Sequence, residues 1–103
     1  MKTKKHFRSA KPFFQNLLKD QEIRIQFEEE KSKTEIAQAV KTARLKADLN
    51  QSQLAKKIGT TQSVIARLEG GNDKRVPSIP LLARIAAACG AHFEFGFFYS
   101  KVS

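Results

Sequence analysis

Two short helices pinned on either side of Gly59 constrain this chain more than any other feature of its sequence. Asn50 is a good N-cap, because its side-chain oxygen can accept an open backbone N–H of the first turn. Leu54, Ala55 and Ile58 then share one face of a helix predicted over about 51–58. Gly59 stops that helix in the left-handed conformation that glycine takes cheaply. Thr61 caps a second helix, about 62–69, whose Ile65 and Leu68 lie three apart and face inward before Gly70 and Gly71 end it. The apolar positions fall where the two helices must lock together, so Gln62, Ser63, Ala66 and Arg67 are left on the outer face.

The flanking segments follow from periodicity. Residues 1–11 are polar, basic and aperiodic, and read as a flexible arm. After Pro12, the residues Phe13, Phe14, Leu17 and Leu18 form one helical stripe, which Ile23 and Phe27 are expected to continue after a cap at Asp20. This is an amphipathic helical appendage over residues 12–31. The run Glu28, Glu29, Glu30 separates it from a helix at about 34–47 carrying Ile36, Val40 and Ala43 on one face. Residues 70–78 are a loop. Ser78 caps a last helix with Pro80 in its first turn and Leu81, Leu82, Ile85 and Ala86 on its core face up to Gly90. In residues 91–99, Phe93, Phe95, Phe97 and Tyr99 alternate with other residues, which predicts a strand with one aromatic face. A lone strand has no ladder partner, so the same segment of a second copy is expected to supply one and make a homodimer. The alternatives are packing on the chain's own helices or addition of a partner protein's strand. The expected fold class is mainly α: a helix-turn-helix bundle over residues 34–90, with an N-terminal helical appendage and a C-terminal β-strand.

Charge narrows the partners. The 103 residues carry a net charge of +9, which favours a polyanion. The excess is uneven: residues 1–14 hold five basic and no acidic side chains, residues 15–35 four against six, and residues 36–103 ten against four. Two partner surfaces of opposite sign are therefore expected. Cys89 is the single cysteine, read as a buried small hydrophobe, and nothing demands an oxidising compartment. With neither a signal peptide nor a membrane span legible, a cytoplasmic protein is expected, without a membrane partner. No enzyme is legible. His6 and His92 lack neighbours at metal or triad spacing and no phosphate-cradling glycine loop occurs, so no cofactor or metal is expected.

Two short helices around a glycine turn form the arrangement whose second helix enters the DNA major groove. Gln can pair bidentately with adenine and Arg with guanine, while a short Ser or Ala lets the backbone come close, so Gln62, Ser63 and Arg67 are the candidate base contacts. The stretch LNQSQLAKKIGTTQSVIARLEGG, residues 49–71, resembles the helix-turn-helix of the XRE family, the Cro and repressor proteins of lambdoid phages. The resemblance covers roughly residues 34–90 and implies a lambda-repressor-like bundle that binds an operator in double-stranded DNA. It implies that Gln51 supports Gln62 and a phosphate, and that Arg44 pairs with Glu69. Thr61, Lys74 and Arg75 complete the set expected to support the helix or meet phosphates. Lys56 and Lys57, on the exposed face of the first helix, are weaker phosphate candidates. The family often has a neutral polar residue where this chain has Arg67, so no operator sequence carries over.

The whole-chain layout also resembles the HigA-type antitoxins. The segments that carry this are FFQNLLKDQEIRIQFEEE (13–30), KTEIAQAVKTARLKADLNQSQLA and CGAHFEFGFF (89–98). The resemblance implies an antitoxin that neutralises a ribonuclease toxin and represses its own operon; separately, the two recognition helices of the expected homodimer, related by a dyad, would read a near-palindromic operator. The candidate toxin-binding residues are Phe13, Phe14, Leu17, Ile23 and Phe27 with Glu28, Glu29 and Glu30, which offer apolar anchors and charge together. Alternatively, those apolar residues fold onto the chain's own core. The other functional readings are a stand-alone repressor without a toxin and an interaction module whose basic surface is incidental.

Overall fold

The computed structural model describes residues 4–71 and 75–99, with side chains from Phe14 onward. The helices are α1 (Lys4–Lys46), α2 (Gln51–Ile58), α3 (Gln62–Gly70) and α4 (Ile79–Ala88). The chain divides into two compact units, Met1–Lys33 and Thr34–Ser103.

In the first unit, α1 already runs from Lys4, through most of the stretch expected as an arm, and neither Asp20 nor the glutamate run interrupts it. The reason is local. No glycine or proline occurs between residues 13 and 46, and the Glu, Gln and Lys that looked like a separator are themselves good helix formers. Lys33 Nζ lies 3.7 Å from Glu30 Oε2, a pair spaced i, i+3 on the helix surface. An uninterrupted helix also changes the stripe. At about 100° per residue, Ile25 returns to the Phe14–Leu18 line, whereas Ile23 falls about half a turn away, with Phe27 beside it. Phe14, Leu17, Leu18, Ile23, Ile25 and Phe27 are all exposed. The side chain of Phe13 lies outside the described residues.

In the second unit each helix start is fixed by a side-chain cap. Asn50 Oδ1 accepts from the Gln53 N–H at 2.7 Å, and Gln53 Oε1 accepts from the Asn50 N–H at 2.8 Å, a reciprocal capping box. Thr61 Oγ1 accepts from the Val64 N–H at 3.3 Å, and Ser78 Oγ from the Leu81 N–H at 3.1 Å. Between α2 and α3, Gly59 takes a φ of 77°. Leu54 of α2 and Ile65 of α3 are both fully buried, inside a core completed by Val40, Ala55, Ile58, Leu68, Leu82 and Ile85. Lys57 Nζ donates to the Ala88 carbonyl at 3.2 Å, placing a cation at the C-terminal end of α4, where the helix dipole favours it.

The C-terminal strand is not formed. All regular structure among the described residues is helical, and residues 91–99 run without a ladder. Alternation sets which side chains share a face, but a strand also needs a second edge, and nothing among the described residues provides one. Phe93 lines an apolar cavity with Ile36, Val40, Leu82 and Ile85. Beyond it Phe95, Phe97, Phe98 and Tyr99 are 73–92% exposed, with the Phe95 and Phe97 rings edge to face at 6.1 Å. The strand through which a homodimer is expected to pair is thus absent among the described residues.

A Cβ at Gly59 meets nothing within 4 Å, so Gly59→Ala isolates the cost of the backbone conformation. It is expected to destabilise the protein by about 1–2 kcal/mol, against about 2–5 kcal/mol for Leu54→Ala, which opens a cavity. Urea unfolding midpoints check the order: equal losses of stability in Gly59→Ala and Leu54→Ala would contradict it.

Candidate nucleic-acid interface

The interface begins from a charge taken out of water. Arg44, in the last turn of α1, is 7% exposed. Its Nε donates to Glu69 Oε2 at 2.6 Å and its Nη2 to Glu69 Oε1 at 2.9 Å, the bidentate geometry that a planar guanidinium offers a carboxylate. Its Nη1 donates to the Leu49 carbonyl at 2.8 Å. One side chain thus ties the end of α1, the turn before α2 and the end of α3. The hydrogen bond to Glu69 raises the Arg44 pKa against the opposing effect of burial. Burial pushes the Glu69 carboxyl up, but hydrogen bonds from Arg44 and Gln51 and the charge of Arg44 together hold it below its ordinary value.

Gln51, the first residue of α2, carries this order to the surface. Its Nε2 donates to Glu69 Oε1 at 3.1 Å, and its Oε1 accepts from Gln62 Nε2 at 2.7 Å. Gln62 opens α3, directly after the Thr61 cap. Gln62, Ser63 and Arg67 are exposed, Val64 and Ala66 half-buried, and Ile65 and Leu68 buried, so α3 has a wet face and an anchored one. The exposed Arg75 lines a shallow cavity with Arg67, Val64 and Val76 beside that wet face. Lys74 lies outside the described residues. The structure therefore brings Arg44, Gln51, Gln62 and Glu69 into one connected group and sets Ser63 and Arg67 beside it.

A family model described as helix-turn-helix matches residues 40–95, more than half of the chain. The chain belongs to the XRE-type helix-turn-helix family. As an XRE-type protein it is a DNA-binding transcriptional regulator, with α2 and α3 as its helix-turn-helix pair. No solved structure matches it.

The link from Gln51 to Glu69 in this XRE-type domain is not among the sequence expectations. The available signal is that Glu69 follows Gln62 by seven residues, two helical turns, which puts both on one line of α3. Lys57, a weak phosphate candidate by sequence, reaches the end of α4. Phe14, Leu17, Ile23, Phe27, Glu28, Glu29 and Glu30 all belong to the other unit. Cys89 is half-buried, and burial pushes its thiol pKa up, the opposite of what a nucleophile needs. Among the described residues, no group of three His, Cys, Asp or Glu is arranged to hold a metal, and no helix is long and apolar enough to cross a membrane.

Because the folded Glu69 pKa lies below its unfolded value, its contribution is complete above the ordinary glutamate range, about 4.3, and drains away as pH falls through the lower folded value. Stability is therefore expected to fall on acidification, and the fall to be shallower in Glu69→Gln. Urea midpoints taken from neutral pH into acid check this: parallel curves for the two proteins would contradict it.

Proposed function

We propose that this regulator is a sequence-specific repressor that lays α3 in the major groove of a near-palindromic operator, two copies reading two half-sites. The observation that carries the reading is the Gln51 to Gln62 hydrogen bond at 2.7 Å, which orders an exposed glutamine at the start of the second helix before any DNA arrives. Preordering lowers the entropy lost on binding, a cost of about 0.5–1.5 kcal/mol for a flexible side chain. Gln62 and Arg67 supply base-edge contacts, and Ser63 allows close approach. Arg75, with Lys74, neutralises phosphates and sets position without reading sequence. Ten basic against four acidic side chains over residues 36–103 supply the nonspecific attraction. A dyad would space the half-sites by roughly one helical turn, about 34–36 Å.

A second reading is favoured by the other unit. Phe14, Leu17, Leu18 and Ile25 lie exposed along one side of α1, near Glu28, Glu29 and Glu30 in sequence. Apolar anchors beside an acidic run suit a basic protein partner, and we propose that this unit binds a small ribonuclease toxin, making the protein an antitoxin that represses its own operon. Purification of the tag-free protein from its native operon is expected to bring down a basic partner, which Leu18→Lys with Ile25→Lys releases. A protein recovered alone, with no toxin frame beside its gene, is instead a stand-alone repressor.

Gln62→Ala and Arg67→Ala are each expected to weaken operator binding by roughly 1–3 kcal/mol and to relax preference at one base pair. Arg75→Ala should weaken binding to all sequences alike and lower the salt slope by about one unit. Titrations on operator and scrambled duplexes across salt concentrations test this: equal losses on both duplexes in all three variants would sink the division of roles.

A further inference from the structure

A glutamine side chain has a donating end and an accepting end, and the end Gln62 turns to DNA decides which base it can read. Three groups in series settle that. Glu69 is ionised at neutral pH, and an ionised carboxylate only accepts. With Glu69 Oε1 already receiving Arg44 Nη2 at 2.9 Å, Gln51 can join it only through its amide nitrogen, which stands at 3.1 Å. That choice leaves Gln51 Oε1 toward α3, where it takes one N–H of Gln62 at 2.7 Å. Gln62 keeps one N–H and its own carbonyl oxygen. A donor beside an acceptor matches the N7 acceptor and N6 donor of adenine in the major groove. Were the series reversed, Gln51 would donate to the Gln62 oxygen and Gln62 would present both N–H groups, which suit the N7 and O6 acceptors of guanine.

We propose that Glu69 is a specificity-determining positioning residue: by accepting only, it sets the direction of the Gln51 to Gln62 series and so fixes Gln62 as a reader of adenine. Glu69 acts without touching DNA, its side chain being 4% exposed. The inference rests on α3 being the recognition helix. Arg44 serves it by keeping the carboxylate charged and by donating to both of its oxygens.

The test uses the full-length protein and a random-sequence DNA duplex library. Sites selected by the wild type are re-measured with each base at each position, and Gln62→Ala marks the position that Gln62 reads. The wild type is expected to prefer adenine over guanine there by roughly tenfold or more. Glu69→Gln, whose amide can donate as well as accept, is expected to lose that preference and to lose less discrimination at the position Arg67 reads. Should Glu69→Gln fail to fold by circular dichroism, Gln51→Met breaks the series outside the ion pair and must relax the same position. A Gln62 position that reads guanine in the wild type, or adenine preference retained by folded Glu69→Gln, or by Gln51→Met where Glu69→Gln does not fold, overturns the proposal and leaves the recognition helix standing. A wild type that selects no sequence overturns both.

Discussion

The buried pair between Arg44 and Glu69 is the constraint on which the rest of this domain depends. Burying two charges costs several kcal/mol of desolvation each, roughly repaid when geometry is good and every lone pair and proton is used. Here the guanidinium serves both carboxylate oxygens and the Leu49 carbonyl, and the carboxylate also receives Gln51. No buried side-chain nitrogen or oxygen among the described residues lacks a partner. Such a pair adds little stability over an apolar one of equal shape. Its hydrogen bonds tie the end of α1, the turn before α2 and the end of α3 together, and through Gln51 they reach Gln62, the first residue of α3.

Around this pair, position and reading are separated. Caps at Asn50, Thr61 and Ser78 fix where helices begin, and Leu54 against Ile65 fixes how α2 and α3 cross. None of these groups can inform on base sequence. In the function proposed, the wet face of α3 carries that task, with phosphate attraction spread over the surrounding lysines and arginines. The charge excess over residues 36–103 and the acidic run at Glu28 to Glu30 lie in different units.

What the sequence made legible was whatever local chemistry decides. Asn50, Gly59, Thr61 and Ser78 announce the boundaries of α2, α3 and α4, because a cap or a left-handed residue acts within one turn. The continuity of α1 is hidden in the sequence: apolar clusters on different faces, Phe14 with Leu18 and Ile23 with Phe27, look like two elements although nothing between them breaks a helix. The strand at residues 91–99 failed for the opposite reason, since alternation is a side-chain pattern whereas a strand is a pairing of backbones. The exposed candidates Gln62, Ser63 and Arg67 could be read from α3's own periodicity. The path from Glu69 through Gln51, 18 residues away in the chain, required the tertiary structure.

The most direct test is to follow the protein's NMR spectrum, including the side-chain amides of Gln51 and Gln62, during titration with the selected operator and with a scrambled duplex. If α3 reads bases through a preset Gln62, the Gln51 and Gln62 side-chain amides shift on the operator alone, while Arg75 shifts on both duplexes. Identical shifts on the two duplexes at Gln62, or none along α3, would contradict it.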